Sequence, residues 1–406
     1  MRGKSDQHSK LGYLARAGIT RNVFFAGVVS LLMDVSSEMV YPLVPLFLSN
    51  VLGASKSAIG VIEGLAEATA SLLKVSSGAL SDRLGKRKLL MVIGYGVSTL
   101  SRPILAVSGA WSHVLGARLV DRFGKGIRTA PRDAIIAEST DKKNLGLAFG
   151  FHRAMDTAGA ALGPAIAFGL LYYLAGNIRA VFWASAIPGI VAMTAIIFFI
   201  KEKKGATPKA AQQTEFSLKT LLRDLPFRNY LIVIAVFSLG NFSDAFLILR
   251  AEQLGIAHEL IPIVYLVFNI IYAAISVPIG RMADRIGLRR VVLAGLVYCA
   301  VIYTGFAVAT TPAHIWILFP LYGVYKGLTD GVQRAYMASI TPPDKKATSF
   351  GAYHTMTGLG ALPASIIAGW LWDARGAHIA FLYGASLAAI AAMIFALSVD
   401  GDRLRA

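Results

Sequence analysis

Apolar residues fall into twelve long blocks, at roughly 22–48, 57–80, 89–109, 112–137, 146–175, 180–200, 229–249, 259–280, 291–309, 313–338, 349–372 and 377–398. Each block is long enough for a helix that crosses a bilayer, which needs about 20 residues at a rise of about 1.5 Å. The alternating short segments of a barrel are absent from the pattern, and lipid tolerates only helices or closed barrels as spanning backbone. One connection is long, residues 201–228, which is Lys/Glu/Pro/Gln-rich at first and amphipathic from Phe216 to Leu222. The expected fold is therefore an all-α membrane protein of twelve transmembrane helices. A basic tail (1–21) precedes a six-helix bundle (22–200), and the central loop (201–228), a second six-helix bundle (229–398) and a short tail (399–406) follow.

Composition sharpens this picture. Of 406 residues 55% are hydrophobic and 16% charged, with a mean hydropathy of +0.59, far too apolar for a soluble chain of this length. The single cysteine, Cys299, sits inside an apolar block, which rules out intrachain disulfides and multi-cysteine metal sites. A net charge of +17 would suggest nucleic acid in a soluble protein. Here it follows from topology, and the bilayer rather than nucleic acid is the expected surface partner. With the N-terminus inside, the inner connections and tails hold 26 of the 40 Lys and Arg residues and the outer connections four: Lys56, Arg179, Arg250 and Arg375. That bias places both termini in the cytoplasm and the chain in the cytoplasmic membrane as a multi-pass protein. The N-terminal tail has no small-residue cleavage site after a short apolar core, so no cleaved signal peptide is expected.

The remaining ten basic residues lie within the blocks, and the fourth block carries half of them. Between Arg118 and Asp133 it has five basic and two acidic side chains. Arg118, Asp121, Arg122, Lys125, Arg128, Arg132 and Asp133 fall within an arc of roughly 140° of a helix. A charge at the bilayer centre costs at least ~2.5–3.5 kcal/mol, so this face must look into protein or a water-filled cavity. Two roles are open to it. The basic residues can pair with Asp121, Asp133 and acids of neighbouring helices, although a buried ion pair is weak glue. Alternatively Arg118, Arg122 and Lys125, with Lys326 of the tenth block, neutralise an anionic group of a substrate.

Acids supply the other half of the chemistry. Asp34 and Glu38 are one turn apart in the first block, ahead of Pro42 and Pro45. Glu63 and Glu67 are one turn apart in the second, with Lys74 on their face. A carboxylate balanced between apolar surroundings and nearby cations is a natural proton carrier, and these four are the proton-coupling candidates. Fixed ion pairs, Glu67 with Lys74 among them, are the competing role. Asn241 and Asp244 in the seventh block and His354 in the eleventh complete the polar candidates.

The two halves repeat. Gly78-Ala-Leu-Ser-Asp82-Arg83-Leu-Gly85-Lys-Arg87-Lys88 recurs, displaced by 202 positions, as Gly280-Arg-Met-Ala-Asp284-Arg285-Ile-Gly287-Leu-Arg289-Arg290; Lys125-Gly126 and Phe149-Gly150 recur as Lys326-Gly327 and Phe350-Gly351, displaced by 201. Parallel six-helix halves of this kind place a substrate between them near the midplane. The repeated stretch resembles the loop signature of the major facilitator superfamily, and the resemblance extends over essentially the whole chain. It implies that Gly78, Asp82, Arg83, Arg87, Gly280, Asp284, Arg285 and Arg289 form an inner gate. Gly159-Ala-Ala-Leu-Gly163-Pro164 resembles the superfamily's exporter signature, with small residues for close packing and a proline to kink the helix. Arg118 to Gly124 is similar to its fourth-helix signature, departing at Arg122, where a small residue is usual. The extended basic stripe resembles a bacterial and archaeal efflux-type subgroup.

The resemblance implies alternating-access transport, with the first, seventh and eleventh helices lining the cavity. The expected function is secondary active transport of a small organic, anionic or zwitterionic compound, as efflux coupled to protons, by a monomer without a cofactor or resident metal. One alternative is a divalent metal or metal-chelate exporter of ferroportin type, in which Asp34, Asp244 and His354 meet. Another is a non-transporting membrane sensor or assembly partner. His152 and Arg153 are expected to be gate or loop partners. No enzyme is expected: there is no Walker A loop and no nucleophile turn.

Overall fold

The computed structural model describes residues 19–84, 86–141, 144–202, 223–342 and 346–398, with side chains outside 74–84, 346–348 and 398. These residues form twelve long helices and, among them, no strand. They are α1 (Arg21–Val40, continued by Val44–Leu46 and a π-helical turn Phe47–Val51), α2 (Lys56–Leu84), α3 (Arg87–Val107), α4 (Trp111–Glu138), α5 (Leu145–Tyr173), α6 (Ile178–Phe199), α7 in two pieces (α7a, Leu225–Gly240; α7b, Ala245–Gln253), α8 (Ile261–Ile286), α9 (Leu288–Val308), α10 (Pro312–Ser339), α11 (Lys346–Arg375) and α12 (Ala377–Ser398). Eight spans are long and apolar enough to cross a membrane by composition. The charge-bearing α4 and α10 are not among them, as their ionic faces require.

Local chemistry sets the ends. Thr20 accepts from the Val23 N–H at the start of α1, and the Asn177 side chain accepts from the Ala180 N–H at the start of α6, satisfying amides that a helix start leaves unpaired. The turn between α8 and α9 is made by Gly287 at φ +97°, a backbone state costly for any residue with a Cβ. That requirement explains the glycine of the repeated loop motif in the second half. Its first-half counterpart, Gly85, lies outside the described residues.

Two compact units emerge. The first draws on the segments Met1–Tyr41, Leu73–Ser108 and Gly116–Ala211, the second on Pro42–Leu72, Gly109–Leu115 and Gln212–Ala406. The grouping thus follows compactness rather than the six-plus-six order of the chain. In the first unit α1 packs on α5 and α6, and α6 on α3, around Val23, Ala26, Val29, Met33, Met91, Ile136, Ala192 and Ile196. In the second, α9 packs on α10 and α12, α8 on α10, and α7a on α11 and α12. An aromatic core of Phe242, Tyr303, Phe306, Tyr322 and Phe381 fills its centre. An apolar groove of about 760 Å³ between α9 and α12, lined by Leu293, Val297, Val301, Leu382 and Met393 among others, carries no ionisable group.

The seventh span departs from the continuous helix that its hydropathy predicts. Residues Asn241–Asp244 leave the helix and α7b restarts at Ala245. Helix-stop and helix-start residues are adjacent there, Gly240-Asn241 and then Ser243-Asp244, and the polar side chains satisfy the backbone that unwinding exposes.

Candidate functional site

In the first unit the charged face of α4 is largely withdrawn from solvent. Arg118, Asp121, Arg122 and Arg128 are all buried, as is Arg102 of α3. The Arg102 guanidinium reaches Asp121 at 3.1 Å and donates to the hydroxyls of Ser36 at 3.3 Å and Ser37 at 3.0 Å, so α1, α3 and α4 meet on one ion pair. Arg118 stands 5.7 Å from the centre of the Tyr41 ring and Arg128 4.5 Å from that of Tyr95, contacts that return part of the lost hydration. Arg132 pairs with Asp133 at 2.9 Å and donates to Ser30 at 3.4 Å. Lys125 is exposed on the same face.

Asp34 and Glu38 are half-buried on α1. They stand where they do because α5 offers no side chain opposite them. A Cβ on Gly159 would lie 2.8 Å from the Asp34 Cβ, and one on Gly163 would lie 2.7 Å from the Glu38 Cβ. The two glycines read as a packing motif are thus the seat of the two acids, and Pro164 follows inside a continuous α5. Asp156, Lys125, Arg128 and Arg132 lie within electrostatic reach of Asp34; Asp34, Lys125, Arg122 and Arg102 lie within that of Glu38. Among the described residues Glu38 Oε2 has no hydrogen-bond partner. Counted together, Arg102, Arg118, Arg122, Lys125, Arg128 and Arg132 face Asp34, Glu38, Asp121, Asp133 and Asp156. The cluster is close to neutral, and each proton taken up by an acid adds one positive charge.

The second unit has its own polar centre at the break in α7. Asp244 Oδ1 accepts from the Tyr322 hydroxyl at 2.6 Å and pairs with Lys326 Nζ at 3.3 Å. Asn241 Oδ1 accepts from Tyr325 at 3.1 Å and Tyr303 at 3.4 Å. The Ser243 N–H donates to Ser365 at 3.2 Å, and the Ser243 hydroxyl donates to the buried Glu63 at 3.4 Å. Lys326 also lies over the rings of Tyr322 and Tyr325, at 5.3 and 5.8 Å. Lys326 and Asp244, two separate candidates in the sequence, are therefore one ion pair. His354 is half-buried on α11 with its ring edge-on to Tyr353. Glu67 is exposed, and the side chain of Lys74, its expected partner, lies outside the described residues.

The gate candidates are placed unevenly. Arg87 forms an ion pair with Glu138, and its backbone N–H donates to Glu202 at 2.6 Å. The side chains at Gly78, Asp82 and Arg83 lie outside the described residues. In the second half Asp284 and Arg285 are exposed, Gly280 has open space beside it, and Arg289 donates to the Ala396 carbonyl at 3.2 Å.

Sequence reasoning passed over Arg102, although an arginine inside an apolar block beside Pro103 was signal enough. Ser30, Tyr95, Asp156 and the tyrosines around Asn241 carried no comparable signal. Their partners lie on other helices, and linear spacing does not encode those meetings.

Comparison with known proteins agrees with this architecture. The family model of the Major Facilitator Superfamily matches residues 26–250 and 245–405. The chain is 37% identical over 384 residues, 93% of its length and 94% of the relative's, to a protein of Methanocaldococcus jannaschii named as an uncharacterized MFS-type transporter. It is 26% identical to the multi-drug resistance efflux pump PmrA homolog of Lactococcus lactis, over 92% of this chain and 94% of that one. Among solved structures, a mutant of the nucleoside transporter NupG superposes with a TM-score of 0.78 at 14% identity, covering 93% of this chain and 100% of the other. Helix count, internal repeat, family model and relatives agree, and the chain belongs to the Major Facilitator Superfamily of membrane transporters.

Proposed function

We propose that the protein exports a small organic zwitterion in exchange for protons, by alternating access in the cytoplasmic membrane, as a monomer with both termini inside. One observation carries this reading: two half-buried carboxylates, Asp34 and Glu38, face the buried cations of α4 in a nearly neutral cluster. The names of relatives such as the Lactococcus lactis efflux pump support the outward direction.

Charge arithmetic selects the zwitterion over a plain anion. Exchange requires substrate and proton to compete for the same groups. A plain anion does not compete: protonating Asp34 or Glu38 makes the cluster more positive and strengthens anion binding, which is co-transport. A zwitterion does compete, because its ammonium seeks the carboxylates that the proton occupies while its anionic end rests on Arg122 and Lys125. Among the described residues no group of three or more His, Cys, Asp and Glu side chains converges, and Asp244 is engaged by Tyr322 and Lys326, so no observation favours the metal alternative.

The test is a thermal-stability screen of the purified protein against zwitterions, organic anions, organic cations and divalent metals at two pH values, since a ligand of the native state raises the melting midpoint. Hits are then assayed for pH-gradient-driven exchange in proteoliposomes. One competing proton weakens zwitterion binding about tenfold per pH unit below the titration of the carboxylate. Binding that strengthens as pH falls would assign an anion and co-transport. Exchange that survives replacing both Asp34→Asn and Glu38→Gln would remove those acids from the mechanism.

A further inference from the structure

The face of α5 that seats the two acids continues toward the start of the helix with residues that function has not absorbed. His152, Asp156, Gly159 and Gly163 share that face, at spacings of four, three and four. Opposite them on α1 stand Gly27, Ser30, Asp34 and Glu38. Phe151 and Met155 abut Gly27, Asp156 accepts a short hydrogen bond from the Ser30 hydroxyl, and the two α5 glycines abut Asp34 and Glu38. The helices therefore run side by side in register for about 16 Å, at about 1.5 Å per residue from His152 to Gly163. His152 is buried, its Nδ1 lies 3.6 Å from Asp156 Oδ2, and its Nε2 has no hydrogen-bond partner among the described residues.

We propose that His152 and Asp156 are a proton relay joining Asp34 and Glu38 to the α5-start end of the first unit, which the positive-inside bias makes cytoplasmic. The proposal rests on the proton-exchange reading of Asp34 and Glu38. A buried imidazole with an orphaned ring nitrogen is a poor packing element, because an unsatisfied polar group costs about 1–3 kcal/mol. As a relay it has a use for both nitrogens. In the exit direction a proton leaves Asp34 for the Ser30 oxygen, one turn away and bridgeable by one water, as Ser30 gives its own hydrogen to Asp156 Oδ1. A half-turn of the Asp156 carboxyl group about Cβ–Cγ then brings its protonated oxygen to the place of Oδ2, 3.6 Å from His152 Nδ1, which takes the proton, and the ring releases one from Nε2 to water. Water-assisted return of the neutral ring to its starting tautomer, one proton leaving Nδ1 as one is taken up at Nε2, restores the acceptor. One proton enters and one leaves, and no net charge stays behind. The route runs along the α1–α5 seam, so an exporter can lose its proton to the inside while the substrate enters elsewhere. From α4, Arg132 and Asp133 face the dyad; from α5, Arg153 does; from α1, Ser30 and Asp34 do. Along α6 the only chargeable side chain is Arg179, at its far end.

The test needs no substrate. The full-length protein in lipid nanodiscs is given a pH jump, and the C=O stretch of protonated carboxylic acid is followed by time-resolved infrared spectroscopy. The component removed by Asp34→Asn with Glu38→Gln reports the two acids. His152→Gln and Asp156→Asn are expected to leave its amplitude in place and slow its appearance on the order of a hundredfold, the scale at which a positioned group assists proton transfer. Asp156→Glu is expected to restore the rate, which a packing role would not do. Wild-type rates in both variants, or a lost amplitude without slowing, would overturn the relay while leaving the acids titrating. If the wild type shows no component removed by Asp34→Asn with Glu38→Gln, the proton-exchange reading fails and the relay with it. Should Asp156→Asn fail to yield folded protein, His152→Gln alone decides.

Discussion

Two glycine-to-alanine substitutions in the same helix make a controlled test of how the acids are seated. In α5, a Cβ on Gly163 would meet the Glu38 Cβ at 2.7 Å, the Val35 carbonyl oxygen at 2.9 Å and the Met39 nitrogen at 3.0 Å. Two of these are backbone and the third is the root of a side chain, so no rotamer change relieves the contact and α1 must move away. Gly169, six residues on, has nothing within 4 Å of its Cβ position. Helix propensity favours alanine over glycine by about 0.5–1 kcal/mol at both positions and cancels between them. What remains is the overpacking term, typically about 1–3 kcal/mol. Gly169→Ala is expected to raise the melting midpoint of the purified protein and Gly163→Ala to lower it. Transport should fall with Gly163→Ala as well, because Glu38 is carried away from Arg122 and Arg102. Equal shifts in the two variants would mean that α1 and α5 are not in contact at Glu38, and the account of how the acids are held would fall.

Three further outcomes follow from other contacts. Arg102→Met removes the ion-pair partner that reaches buried Asp121 at 3.1 Å and is expected to cost up to about 3–5 kcal/mol, whereas Arg102→Met with Asp121→Leu recovers most of the loss; denaturation midpoints of the single and double variants decide. Asp244→Asn frees Lys326 from its pair and is expected to tighten binding of ligands with an anionic group, while Lys326→Met abolishes that gain, as isothermal titration with a hit from the screen would show. The Asp373 carboxylate accepts from the amides of Lys56 at 3.0 Å and Ser57 at 2.8 Å and from the Ser57 hydroxyl at 2.6 Å, serving α11 as a cap for α2. Asp373→Ala is expected to cost about 0.5–2 kcal/mol and to speed hydrogen exchange at those two amides; unchanged exchange would deny the cap.

The twelve helices and the family were readable because hydropathy over about 20 residues is a strong signal and the Gly-Asp-Arg-Gly loop recurs. The break at Asn241–Asp244 was not, because its stop and start residues sit inside a window whose average stays apolar. The charged arc of α4 was readable as a face, yet its partners were not. Arg102 of α3 and the rings of Tyr41 and Tyr95 reach it from helices whose packing no single-helix periodicity describes. The same limit hid the pairing of Lys326 with Asp244, 82 positions apart.

The α1 acids and the α5 glycines make the point most sharply. In the sequence they are two unrelated motifs, a pair of carboxylates one turn apart and a Gly-x-x-x-Gly step, and each has a complete explanation by itself. Their common spacing of four is the only clue that they belong together, and a spacing of four is what any helix face has. In the structure each glycine lies against one acid. The close approach of α5 that this permits is also what brings Asp156 against Ser30 and sets His152 behind it. A motif that reads as packing is therefore what fixes the position of the ionisable groups. Replacing either glycine displaces the acids without removing a single titratable atom, and so tests the proposed proton exchange.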